Sequence, residues 1–205
     1  MTIAAMSEQL LLAFVVFAVV TLFTPGPNNI MLLSSGVTFG VRRTLPHVAG
    51  VTIGFAVMVA ATGFGLGAVF TSYPVLQVAL KYAGAAYLIY FAAVIALSGP
   101  ADPGETTRRK PMTFLGAAAF QWVNVKGWVM TIGAITAYAT IAAYPWNILT
   151  QALLFLFLGF FSSMTWAFFG TSLQPLVKSP RAARVFNWVM ALLLLASLYP
   201  VLMEG

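Results

Sequence analysis

Thr24-Pro25-Gly26-Pro27-Asn28-Asn29 interrupts a stretch, residues 9–41, that carries no charged residue. A bilayer crossing takes about 20 predominantly apolar residues, and this stretch supplies them. Pro25 and Pro27 remove two backbone donors, and Gly26 permits unusual dihedrals, so a continuous helical ladder cannot run through the string. Unpaired backbone groups at membrane depth survive only where protein or a water-filled cavity satisfies them. A second interruption, Gln121-Trp122-Val123-Asn124-Val125-Lys126-Gly127, breaks the apolar run that begins at Pro111. Asn28 and Asn124 stand close to half a chain apart. Paired interruptions at matching places in two halves point to a transporter binding site.

The composition agrees with a membrane location. Of 205 residues, 61% are hydrophobic and only 7% charged, against about 25% charged in soluble domains. The net charge of +6 is no nucleic-acid signal, because the basic residues fall between apolar runs, where membrane topology accounts for them. The chain has no cysteine, which excludes disulfide and thiol chemistry. A single histidine leaves no metal cluster and no cofactor to expect. Met1 to Gln9 holds no Lys or Arg and no small-residue cleavage signal, so the first span is expected to be retained.

Six spans are expected, at about 9–35, 45–70, 76–97, 112–138, 148–173 and 182–202. The uncharged stretch 127–177 is too long for one helix, and Ala143-Tyr144-Pro145-Trp146-Asn147 divides it. With six spans, Arg42, Arg43, Arg108, Arg109, Lys110, Lys178, Arg181 and Arg184 all fall on one side, and only Lys81 lies near the other. The Lys/Arg-rich side is cytoplasmic, which puts both termini outside, in the periplasm. The expected fold is therefore all-α and polytopic, a single transmembrane domain over 1–205. Its halves, about 8–98 and 112–203, are joined by a cytoplasmic loop at 99–111. Each half has three spans, an odd number, so the halves enter the membrane in opposite senses as an inverted repeat.

At the first break, freed carbonyls upstream suit an ammonium. The positive N-terminus of the resuming helix suits a carboxylate. Pro25, Gly26, Pro27, Asn28 and Asn29 are thus candidates for holding a zwitterionic amino acid, against the simpler reading of a proline kink. Lys126 lies roughly 20 Å along the fourth span at 1.5 Å per residue, and burying it costs about 2.5–3.5 kcal/mol on insertion scales. With no Asp or Glu inside the membrane, its expected partners are backbone carbonyls at the break, Asn28, Asn29, Asn124 or a substrate carboxylate. His47 and Lys126 are the proton-coupling candidates, since imidazole titrates near neutrality. For His47 the plainer reading is an interfacial residue at a helix start. Gly36 and Gly40, Gly50 and Gly54, and Gly63, Gly65 and Gly67 are read first as internal packing sites and second as homodimer contacts. Trp122, Trp128, Trp146 and Trp188 are read as interface anchors or cavity lining.

The Thr24 to Asn29 string, with Gly36-Val37-Thr38-Phe39-Gly40-Val41-Arg42 after it, resembles the signature of the lysine exporter / homoserine-threonine efflux family of bacterial transporters. That family usually carries Asn-Pro-Lys in the fourth span. Here the string is Asn124-Val125-Lys126, and Val125 removes no donor. The stretches Phe120 to Lys126 and Ala83-Gly84-Ala85-Ala86-Tyr87 are similar to the branch of the family that exports cysteine and O-acetylserine. The resemblance covers nearly the whole chain. It implies six helices in the inner membrane and export of amino acids or their derivatives.

The expected function is export of small neutral amino acids by alternating access, with the substrate held between the two breaks. A neutral zwitterion draws little on the membrane potential, so a coupled ion is expected, and the proton is the choice. The alternative is a passive channel for small metabolites. An enzyme is disfavoured, because no catalytic dyad or metal-ligand set is present.

Overall fold

The computed structural model describes residues 3–98 and 111–199, and all its regular elements among them are helical. The expected loop charges Asp102, Glu105, Arg108, Arg109 and Lys110, and Glu204, lie outside the described residues. Helix α1 (Ile3–Phe23) stops at the Pro-Gly-Pro string, and α2 (Pro27–Ala61) resumes directly after it. A π-helical segment, Thr62–Leu66, leads into α3 (Gly67–Ser72), followed by α4 (Pro74–Ala96). The second half contains α5 (Phe114–Gln121), α6 (Val125–Ala137), α7 (Trp146–Ser172) and α8 (Pro180–Ala196).

Helix α2 is two helices. Gly40 sits at φ 74°, ψ 165°, a region essentially reserved for glycine. Ser35 Oγ and His47 Nδ1 are 3.0 Å apart although 12 positions separate them. On a straight helix those residues would stand about 18 Å apart. The chain therefore reverses at Gly40, and residues 27–39 and 41–61 form a hairpin with Arg42 and Arg43 at its turn. This corrects the placing of His47 at an interface: the imidazole is fully buried between the hairpin arms.

Both arms pack on α7. Gly36 faces the Ala167 carbonyl and Gly170 faces the Leu33 carbonyl, so the backbones meet with no side chain between them. The second arm is covered by α5, where a Cβ on Gly54 would stand 2.6 Å from Ala118 Cα. Gly63 meets the Ile148 side chain. Internal packing is thus the role of Gly36, Gly50, Gly54 and Gly63. Gly65 has open space around it and a φ of 135°, so it serves the π-segment's backbone instead. Helix α4 packs on α8, tied at one end by Asn187 Nδ2 donating to the Ser98 carbonyl at 2.7 Å.

Three segments are long and apolar enough to cross a membrane: Pro27–Val69, Pro74–Ala96 and Trp146–Ser172. Glu8–Phe23 and Val125–Ala137 are shorter apolar helices. Their outward faces carry Leu12, Val20, Tyr82, Ile89, Leu153 and Phe157, all exposed. So large an apolar surface suits lipid. Trp146 and Trp188 are also exposed, whereas Trp128 is buried and meets Trp122 edge to face at 6.0 Å.

Candidate functional site

The first break leaves α1 with carbonyls that the prolines cannot serve, and other parts of the protein serve them. Asn29 Nδ2 donates to both the Leu22 and Thr24 carbonyls, each at 2.9 Å. Ser162 Oγ, from α7, donates to the Leu22 carbonyl at 2.8 Å. Lys126 Nζ donates to the Thr24 carbonyl at 2.7 Å. One of the expected partners of Lys126, a backbone carbonyl at the break, is therefore found. The ammonium on the freed carbonyl is the protein's own.

Gly26 owes its identity to space. Its φ of −168° is extended backbone that any residue adopts, which corrects the expectation of unusual dihedrals. The lysine stem lies across it. A Cβ there would stand 2.8 Å from Lys126 Cδ and 3.0 Å from Nζ.

The second break forms without proline. The N–H groups of Trp122, Val123 and Asn124 reach back to the carbonyls of Ala119, Phe120 and Gln121 at 3.1, 3.1 and 3.2 Å, a tightened final turn of the 3₁₀ kind. Trp128 Nε1 donates to the Trp122 carbonyl at 2.9 Å. Gly84 of α4 rests against the Val123 carbonyl, where any side chain would collide with backbone.

The two breaks are tied together. Asn28 Nδ2 donates to Gln121 Oε1 at 2.8 Å, and Gln121 Nε2 returns a bond to Asn28 Oδ1 at 3.1 Å. Gln121 is fully buried and also donates to the Ala117 carbonyl. This ring occupies both ends of the Asn28 amide. The Asn28 and Asn29 side chains thus brace the break, and what they leave free is the backbone N–H at the start of α2.

Neither helix that starts at a break is capped by a side chain: α2 follows Gly26 and α6 follows Asn124 without one. The first N–H groups of a helix have no partner within it. Helices α5 and α8 are capped by side chains, whereas α4 and α7, like the two at the breaks, are not. Thr113 Oγ1 accepts from the Gly116 N–H at 3.1 Å, and Ser179 Oγ from the Ala182 N–H at 3.1 Å. Asn124 Oδ1 is buried with no hydrogen-bond partner.

A cavity of about 40 Å³ lies between the breaks. Its lining includes Gly26, Pro27, Asn28 and Asn29 of the first break, Asn124, Lys126 and Gly127 of the second, the apolar Val51, Phe55, Met130 and Phe155, and the hydroxyl-bearing Thr52, Ser162 and Ser163. Among the described residues, no carboxylate lines it. Six of the seven candidate binding residues are brought together here. Pro25, exposed at the break, is not among the lining residues. His47 lies one helical turn from Val51 and does not reach the cavity; its Nε2 has no partner. Gln121, Phe55, Phe155, Ser162 and Ser163 were not singled out by their sequence. Gln121 stood inside the second string, but the others sit in uninterrupted apolar spans that mark no position.

Residues 19–197 match the family model described as LysE type translocator. A cysteine/O-acetylserine efflux protein of Escherichia coli (strain K12) is 34% identical over 197 residues, 92% of this chain and 95% of the relative. The protein of the same name from Escherichia coli O157:H7 is 34% identical over 198 residues, 93% of this chain and 96% of the relative. No solved structure gives a significant match. The chain belongs to the LysE type translocator family, and with its membrane-length apolar helices it is a bacterial membrane translocator.

Proposed function

We propose that this protein exports small neutral amino acids or their derivatives, of the cysteine and O-acetylserine kind, across the bacterial inner membrane by alternating access. One observation carries the reading: two uncapped helix N-termini and one lysine ammonium converge on a cavity that, among the described residues, no carboxylate lines. Each helix N-terminus carries about half a positive charge. Such a wall recognises an anion, and a carboxylate is the group every amino acid offers.

The proposed architecture is six spans in two inverted halves, both termini periplasmic. The hairpin reversal at Gly40 supports it by dividing one long apolar segment into two crossings. The pairing of the second hairpin arm with α7, and of α4 with α8, supports it as well, since each pair joins corresponding helices of the halves. Export of a net-neutral substrate against a gradient requires a coupled ion, and we assign that role to the proton. Lys126 and the buried His47 are the groups to test.

Counterflow in proteoliposomes loaded with a panel of amino acids, with and without a pH gradient, tests the reading. Saturable exchange of small neutral amino acids, enhanced by the gradient, is the expected result. Lys126→Ala should abolish exchange in protein that still folds and inserts. Normal exchange by that variant would remove the lysine from the mechanism. Downhill flux that never accumulates substrate would instead indicate a passive channel.

A further inference from the structure

The cavity lining is of two chemical kinds, and the apolar part carries information that the polar part does not. An amino acid whose charged groups engage the breaks has Val51, Met130 and above all the rings of Phe55 and Phe155 left to receive its side chain. These rings lie on different helices and meet edge to face at 5.2 Å. Behind them stands more aromatic packing. Phe155 meets Phe14 at 5.1 Å, and Phe14 meets Tyr138 at 5.2 Å, both edge to face. Phe14 and Phe155 are completely buried and Phe55 nearly so. Phe155, backed by Phe14, which Tyr138 backs in turn, cannot step back for a larger ligand, because interiors packed at crystal density have no slack.

We propose that Phe55 and Phe155 are the specificity-determining residues of this transporter, fixing the largest side chain that it carries. This rests on the export reading above and deepens it. The polar lining offers every zwitterionic amino acid the same contacts, so discrimination by size falls to the aromatic lining. A single methylene that does not fit an apolar pocket costs about 10- to 200-fold in selectivity.

The test is a gain of substrate, which misfolding cannot imitate. Wild type, Phe155→Ala and Phe55→Leu are reconstituted separately and assayed by counterflow against alanine, serine, cysteine and O-acetylserine on one side and methionine, leucine and phenylalanine on the other. Wild type should exchange the small set and discriminate at least tenfold against the large set. At least one variant should narrow that ratio by tenfold or more, read as leucine or methionine exchange relative to serine exchange in the same preparation. Phe55→Leu is the milder change and stands in if Phe155→Ala fails to fold. Wild-type exchange of leucine as fast as serine would overturn the proposal. So would folded variants that carry serine yet still exclude methionine and leucine. Silence of folded wild type towards the whole panel is a different result, and would overturn the export reading and with it the inference.

Discussion

Replacing Gly26 by alanine isolates the lysine berth. Alanine adopts the extended backbone found there without strain, so the substitution acts only through the added methyl. That carbon would stand 2.8 Å from Lys126 Cδ and 3.0 Å from Nζ, and the lysine, as the flexible partner, must be the one to move. What it gives up is the 2.7 Å bond from Nζ to the Thr24 carbonyl. A hydrogen bond to a charged group contributes about 1.5–3 kcal/mol, roughly 10- to 150-fold in an equilibrium. Lys126 is only partly buried, which places the expected loss at the lower end. Gly26→Ala should therefore lower the initial counterflow rate by about tenfold and lower the unfolding temperature. In a Lys126→Ala background nothing stands in the way of the methyl, and the same substitution should leave the unfolding temperature unchanged. Wild-type transport by Gly26→Ala, or an equal thermal loss in both backgrounds, would refute the reasoning.

The Asn28–Gln121 ring predicts non-additive stability. Asn28→Ala leaves the buried Gln121 Oε1 without its donor, at about 1–3 kcal/mol, Gln121→Ala costs less because Asn28 is only partly buried, and the double variant should cost less than the two singles together when unfolding is followed in detergent. Asn29→Asp keeps the shape but turns a donor to two carbonyls into a third acceptor; little monodisperse protein should survive size-exclusion chromatography, whereas Asn29→Gln should preserve more. Gly170→Ala drives a methyl into the Leu33 carbonyl, and overpacking against backbone should cost about 1–3 kcal/mol, read as a lowered unfolding temperature.

The two breaks, the helices flanking them and the isolation of Lys126 were legible because each leaves a mark in the chain: prolines, a polar string in apolar surroundings, a charge with no nearby acid. The division at Ala143 to Asn147 was legible from turn chemistry, and α7 starts at Trp146. Residue roles inside the site were less legible. Asn28 and Asn29 read as ligand groups because an asparagine in a span needs a partner, but the sequence does not say that the partners are Gln121, 93 positions away, and the carbonyls of the preceding helix. Gly26 read as a conformational glycine for the same reason: a collision with a side chain 100 residues downstream has no local signature. His47 looked interfacial beside Arg42 and Arg43, yet the reversal at Gly40 folds it against Ser35. Phe55 and Phe155 are two among seventeen phenylalanines, and only the packing distinguishes them.

The uncapped helix starts link this economy of local signals to the export reading. A side-chain cap contributes about 0.5–2 kcal/mol to a helix, and the chain takes it at Thr113 and Ser179 and lacks it at both breaks, as it does at the starts of α4 and α7. At the first break the carboxyl end of α1 and the amino end of α2 present opposite partial charges within a few residues. The negative end already holds the Lys126 ammonium through Thr24. The positive end remains, and the start of α6 adds a second. A substrate carboxylate therefore meets donors that the protein has left open, without displacing the lysine. Its ammonium needs an acceptor that is not already in use. The carbonyls of Leu22 and Thr24 are taken by Asn29, Ser162 and Lys126. Among the described residues lining the cavity, Asn124 Oδ1 is the buried side-chain acceptor with no partner. Had Asn124 turned back to cap α6, that oxygen would be used up within its own helix. The missing cap at the second break and the orphaned oxygen beside it are one feature, and on the export reading we propose that the ammonium of a substrate takes it up.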